Sequence, residues 1–245
     1  MRTPHSIGQP FLSSLAIAHR AGNDLRALRA AADAGVDLIE ADVWLWRGRI
    51  EVRHLKTMGP VPLLWDRWTL AAGWSPRLRL VDLLAEARRA GAQLMLDLKG
   101  GDRRLAAETI RLIEHMAVDR PLTVCSRNWA LLEPFRDAPH IRVVYSVGSR
   151  AQVRALRILL QGRDVEGVSI HQRLLSPGLV PALRRRVPLV MTWPVNTVRR
   201  MDELLSWGVT GIISDDPRVL HELVGRRSRH LSPVLPAAGT EQCSA

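Results

Sequence analysis

Two acids, Glu40 and Asp42, stand two residues apart in the apolar run "VDLIEADVW" at 36–44. Strand side chains two apart share a face, so both carboxylates point the same way. A second segment, "QLMLDLK" at 93–99, places Asp97 and Lys99 in the same relation. His19 closes "SLAIAH" (14–19), with Arg20 directly after it, and His54 closes "RIEVRH" (49–54). Clustered buried carboxylates are costly, and their pKa values rise until some become neutral. One divalent cation, Mg2+ or Ca2+, relieves that cost with three carboxylate oxygens and water as ligands. A salt-bridge network through Lys99 and Arg20 relieves it too, and spacing does not separate the two. Paired histidines beside these groups suggest general acid–base work on a phosphate ester. One takes the proton of the attacking oxygen and the other returns one to the leaving oxygen.

These residues fall where a regular architecture would gather them. Short apolar runs at 14–19, 37–44, 49–54, 93–99, 122–126, 141–147, 167–172, 188–193 and 211–215 read as strands. Between most of them lie helical patterns at 24–34, 80–90, 103–116, 128–138, 149–160, 176–186, 197–207 and 217–225. "AADAGVDLIE", "ARRAGAQLML" and "LLSWGVTGII" each end a helix on glycine just before a strand. Nearly continuous apolar strands alternating with helices indicate a parallel sheet covered on both faces. About eight such units in a chain of 245 residues favour an α/β fold of the (β/α)8 TIM-barrel type, in which reactive groups collect at the C-terminal strand ends. Residues 55–79, with three prolines and Trp65, Trp68 and Trp74, read as a short insertion after the second strand region. The expected domain is 1–226, with 227–245 a mobile tail.

Composition narrows the partners. The formal charge is +11, and all but two of the 35 basic residues are arginine, the exceptions being Lys56 and Lys99. No aromatic–basic interleaving or DNA-reading motif accompanies that charge, so no specific nucleic-acid partner is expected. A peripheral contact with an anionic membrane stays open. No run reaches the roughly 18 apolar residues of a membrane span. Two cysteines form no disulfide framework, and "FLSSLAIA" lacks a basic leader, so the expected setting is cytoplasmic.

The ordered set of motifs resembles one family. "AHRA" with Asn23, "GVDLIEADVW" and the histidine after "RIEV" are similar to the opening of the glycerophosphodiester phosphodiesterases. "LMLDLKG" resembles that family's acidic-x-Lys strand, "TWPVN" its tryptophan-bearing strand seven, and "WGVTGIISDDPRVL" its closing strand and helix, spanning about 15–224 in all. The resemblance implies a TIM-type barrel, with a metal held by Glu40, Asp42 and Asp97 and His19 and His54 as the acid–base pair. It further implies Arg20 and Lys99 as phosphate ligands, Trp193 lining the alcohol side, and a catalytic role for Asn23 besides helix capping. The substrate implied is a small-molecule phosphodiester, hydrolysed to glycerol 3-phosphate and an alcohol. A lipase branch similar to sphingomyelinase-type phospholipases D, acting on membrane phospholipids, and a weakly catalytic barrel that binds headgroups are the alternatives. The chain departs from the family pattern at Ala21 (usually glycine), in the short loop before Asn23, at Leu55 (usually aspartate) and at Asp97 (more commonly glutamate).

The remaining polar residues have plainer readings. Ser126 in "VCSRN" lacks a nucleophile-elbow pattern and reads as a cap or pocket wall, and Cys125 as a buried thiol. His171 ends its strand and is a candidate substrate contact. Asp215 and Asp216 before Pro217 read as caps of the last helix, and His115, His140, His221 and His230 as surface residues.

Overall fold

A computed structural model describes residues 14–57, 63–66, 69–73, 76–118, 120–138 and 140–231. Eight parallel strands close on themselves: β1 (Leu15–Ala18), β2 (Leu38–Trp46), β8 (Leu94–Leu98), β9 (Leu122–Ser126), β10 (Ile141–Val147), β11 (Gly167–His171), β12 (Leu189–Trp193) and β13 (Gly211–Ser214). Each pairs with the next, and β1 pairs with both β2 and β13, which shuts the barrel. Helices α1 (Leu25–Asp33), α2 (Leu80–Arg89), α3 (Arg104–His115), α4 (Arg150–Gly162), α5 (Leu179–Arg184), α6 (Val198–Ser206) and α7 (Pro217–Leu231) return the chain between strands or close it.

Strand periodicity divides the core in two. Outward residues such as Ile39, Ala41 and Val43 pack beneath the helices in the larger cluster. Ile17, Leu38, Met95, Cys125, Val144, Met191 and Ile213 form a separate apolar plug. On six of those strands, the side chain two residues beyond the plug is His19, Glu40, Asp97, Arg127, Trp193 or Asp215. The plug is therefore the floor of a cavity, and the strand period carries polar groups directly above it.

Three elements differ from the sequence expectation. "RIEV" forms β3 (Arg49–Val52), which is outside the parallel ring and pairs antiparallel with β2. The two-residue turn at Arg47 and Gly48 has φ of 48° and 74°, the backbone of a tight hairpin, so the chain reverses here without a crossover helix. His54 accordingly lies two residues past β3, in the loop that follows. Residues 128–138 are two short 3-10 turns, Trp129–Leu131 and Glu133–Phe135, because Pro134 removes an amide donor in mid-segment. The last helix runs to Leu231, past the expected domain end at 226. The Arg227 guanidinium sits 2.7 Å from Asp37 Oδ2, and that same oxygen accepts from the Ala16 amide at 2.6 Å, so residue 227 is anchored to the start of β1. Residues 232–245 of the expected tail lie outside the described residues, as do Pro60, Pro62, Trp68 and Trp74 of the insertion. The described part of the insertion is a small antiparallel sheet of β4 (Lys56–Thr57), β5 (Leu63–Asp66) and β6 (Thr69–Ala72), followed by β7 (Leu78–Arg79), which pairs with β3.

Candidate active site

At the C-terminal ends of the strands lies a cavity of about 450 Å³. His19, Arg20, Glu40, His54, Lys99 and Asp215 are among its lining, with Trp44, Asp97, Arg127, His171 and Trp193 further round the wall. The parallel register of β2 and β8 sets Asp42 directly opposite Asp97. Glu40 shares Asp42's face, so two strands bring three carboxylates together. One oxygen from each lies within 4.8 Å of the others.

Each acid is held by a specific partner. The chain turns at Arg20, whose φ of 57° lets its own amide donate to Glu40 Oε2 at 2.6 Å. Gly22 lets this turn lie flat on β2: a Cβ there would be 2.7 Å from Ala41 Cβ. Asn23 clamps Asp42 twice, its Nδ2 donating to Oδ2 and its Oδ1 accepting from the Asp42 amide, both at 2.8 Å. Asp24, next along, supplies the cap of α1 by accepting from the amides of Arg26 and Ala27. The cap of α1 is thus Asp24, and Asn23, expected to cap this helix, is instead the clamp on Asp42. The Lys99 ammonium is 2.8 Å from Asp42 Oδ1 and also pairs with Asp97 Oδ2.

The electrostatics are unbalanced. Burial, followed by the Asp42 charge, raises the Glu40 pKa well above the usual carboxylate range. Burial raises Asp97 as well, against the pull of Lys99. Asp42 goes the other way: burial would lift it, but hydrogen bonds from His54, Lys99 and Asn23 and the Lys99 charge outweigh that and hold it low. For Lys99, burial is overcome by Asp97, Asp42 and Glu40, and its pKa rises. Three carboxylates gather around this half-buried ammonium, and among the described residues Asp97 Oδ1 is buried with no hydrogen-bond partner. An orphaned carboxylate oxygen within an all-oxygen donor set fits a hard divalent cation. The Lys99 salt bridges and the candidate cation site draw on the same acids.

Both histidines are oriented through Nδ1. His19 Nδ1 lies 2.7 Å from Asp215 Oδ1, and His54 Nδ1 lies 3.1 Å from Asp42 Oδ2. A carboxylate can only accept, so Nδ1 carries the proton in each and Nε2 is the exchanging atom. Asp215 is thereby corrected from helix cap to histidine partner, and the hydrogen bond from His19 lowers its pKa. Asn196 holds it in turn, donating from Nδ2 to Oδ2 at 3.4 Å and accepting from the Asp215 amide at 3.1 Å. Capping falls to Asp216, which accepts from the Arg218 amide.

His171 Nδ1 instead accepts from the Arg173 amide at 3.2 Å, which leaves Nε2 as its donor in the neutral ring. Burial, then the charges of Arg173 and Arg127, lower its pKa. It packs edge-on against Trp193 with centroids 4.8 Å apart, and Trp193 Nε1 donates to the Ser169 carbonyl. Ser126 donates to the Leu98 carbonyl and accepts from the Asn128 amide, a local turn lock, while Cys125 is buried at the cavity floor. Arg127 is a cavity residue that the sequence reading passed over. A Cβ at Gly148 would lie 2.7 Å from its Cζ, so the glycine makes room for the guanidinium. Its signal was its place two residues after Cys125, the same interval that separates His19 from Ile17.

Comparison with known proteins places this barrel. The sequence model described as "Glycerophosphoryl diester phosphodiesterase family" matches residues 86–219, more than half of the chain. The chain belongs to this family of phosphoric diester hydrolases. The matched stretch contains Asp97, Lys99, His171, Trp193 and Asp215, whereas His19, Glu40, Asp42 and His54 precede it. A curated relative, glycerophosphodiester phosphodiesterase GDPD4 of Arabidopsis thaliana, is 23% identical over 181 residues, covering 72% of this chain. The chain spans about half (54%) of that relative's length. Among solved structures, an Oleispira antarctica phosphodiesterase in complex with the product sn-glycerol-3-phosphate superposes with a TM-score of 0.69 at 21% identity. That match covers 85% of this chain and 96% of the other. A glycerophosphodiester phosphodiesterase from Parabacteroides distasonis has the same TM-score and identity, over 88% and 98%. At such identities these two structures establish the barrel fold. Among the described residues, no helix is long and apolar enough to cross a membrane.

Proposed function

We propose that this chain hydrolyses glycerophosphodiesters to glycerol 3-phosphate and an alcohol. The observation that carries the reading is the pairing of His19 and His54, each oriented through Nδ1 by a carboxylate, at a cavity that also contains Glu40, Asp97 and Lys99. Family membership and the product held by the Oleispira relative support the same chemistry.

Lys99, Arg20 and Arg127 supply the positive charge that binds the phosphodiester oxygens. One imidazole Nε2 accepts the proton of the attacking hydroxyl or water as the new P–O bond forms. The other delivers its proton to the departing alcohol oxygen as the old P–O bond breaks. Asp215 stabilises the imidazolium that His19 passes through, because its lowered pKa keeps it charged. Asn23 maintains the Asp42 carboxylate in line with His54. Trp193 and His171 wall the alcohol side. Glu40, Asp42 and Asp97 would hold one divalent cation, Mg2+ or Ca2+, which supplies charge neutralisation to the phosphoryl oxygens.

A second reading, phospholipase cleavage at a membrane surface, is favoured by the insertion. Trp65 and Leu70 are paired across β5 and β6 and both are exposed, 42% and 65%. Lys56, which lines the cavity, lies 5.6 Å over the Trp65 ring. Aromatic and basic groups of this kind suit an anionic lipid interface. Incubation with glycerophosphocholine, and in parallel with phosphatidylglycerol vesicles containing lysophosphatidylcholine, separates the two. The first reading predicts glycerol 3-phosphate and choline from the soluble diester. The second predicts faster release of choline from the vesicles, and no product from either would leave a headgroup-binding barrel.

A further inference from the structure

A recess outside the catalytic cavity is lined by Arg150, Arg154 and Arg157 of α4 and by Arg173 from the turn after β11, over a volume of about 370 Å³. Val153, Leu174 and Leu179 form its half-buried apolar lining and Ser176 its hydroxyl. The three α4 arginines follow an i, i+4, i+7 spacing, which puts them on one helix face. All four arginines are exposed, and none has a side-chain hydrogen bond or ion pair among the described residues.

This arrangement opposes two ordinary preferences. Cations are favoured at helix C-termini, yet α4 has Arg150 as its first residue, no acid in its first turn and no basic residue in its last. Like charges at i, i+4 repel, and Arg173 adds a fourth guanidinium from another element. Some arginines elsewhere are paired, as in Arg163 with Glu133 and Arg200 with Glu203. Among the described residues, no acid answers these four. The amide of Arg150 lies beside the α4 N-terminus, whose partial positive charge adds to the same field.

We infer that this recess is a second anion site, which takes a compact phosphate group carrying two or more negative charges. Guanidinium forks match phosphate oxygens in pairs. Arg173 and Leu174 of the recess follow closely on His171 of the catalytic cavity, and the Arg173 amide donates to His171 Nδ1. Occupancy therefore sits one hydrogen bond from the wall of the catalytic site. The inference stands on the arginines alone and does not depend on the diesterase reading.

Inorganic pyrophosphate, titrated calorimetrically into the full chain, tests it. Arg154→Glu/Arg157→Glu should weaken binding on the order of tenfold or more, since each lost charge-assisted contact is worth about that. The milder Arg154→Gln/Arg157→Gln should act in the same direction. A charge-matched control at exposed positions elsewhere, Arg88→Glu/Arg142→Glu, should leave the affinity near wild type. Equal losses in the two charge-reversal pairs, or no loss in either, would overturn the site. Sedimentation with phosphatidylcholine vesicles, with and without phosphatidic acid, then names the source. Recess-dependent binding to phosphatidic acid indicates a lipid headgroup, and pyrophosphate binding without it indicates a soluble phosphorylated molecule.

Discussion

His19→Ala is expected to lower glycerophosphodiester turnover by about 10²–10⁴-fold, the range for loss of a positioned acid or base, with the barrel intact. The side chain sits on the cavity wall and not in the apolar plug, so its removal leaves no void in the core. The loss should appear in kcat, because the imidazole acts when protons move rather than when substrate docks. Asp215→Asn provides the internal control. It keeps the steric outline beside His19 but removes the negative charge that steadies an imidazolium, so kcat should fall with KM little changed. The same variant carries a pH signature. The pKa of Asp215 is lowered in the folded protein, so the pair contributes stability above the ordinary carboxylate range and loses it as pH falls through the lowered value. Asp215→Asn should therefore flatten the acid-induced loss of stability relative to wild type. Full activity in His19→Ala would remove the histidine from the mechanism.

Glu40→Gln should separate stability from activity. In the cation-free protein Glu40 is a buried acid whose pKa is raised by burial and by Asp42, so its charged form opposes folding at neutral pH. Glutamine retains an oxygen for the Arg20 amide and deletes the charge. The chelated variant is expected to melt a few degrees above chelated wild type, about what relief of one kcal/mol or so produces in a domain of this size. It should also lose most of the thermal stabilisation that added Mg2+ or Ca2+ gives wild type, together with most turnover. Calorimetric scans with and without cation read both effects. A variant that melts lower in chelator, and still gains from cation as wild type does, would show that Glu40 is a structural acid.

Much of the site was legible because β-strand geometry is periodic. Glu40 with Asp42 and Asp97 with Lys99 declared themselves as pairs on one face, and glycines after the helices placed the strands that carry them. Their union could not be read from spacing, since it depends on the β2–β8 register that sets Asp42 against Asp97. Asp215 was misread because an acid before Asp-Pro satisfies a capping pattern equally well; only closure of β13 onto β1 brings it to His19. Arg127 was obscured by a surplus of arginines, although its interval from Cys125 matched that of the other cavity residues. The hairpin into β3 was hidden because "RIEV" reads as a strand in either direction. Arg47 and Gly48, both with positive φ, decide that it turns back.

The activity proposed for this barrel is cation-dependent diester hydrolysis by the His19–His54 pair. It is tested most directly by following glycerol 3-phosphate release from glycerophosphocholine after chelation, then after restoring Mg2+ or Ca2+, with His19→Ala run alongside. Expected are product from wild type, none after chelation, recovery with one of the two cations, and little product from His19→Ala under any condition. Undiminished release in excess chelator, or release by His19→Ala at the wild-type rate, would contradict it.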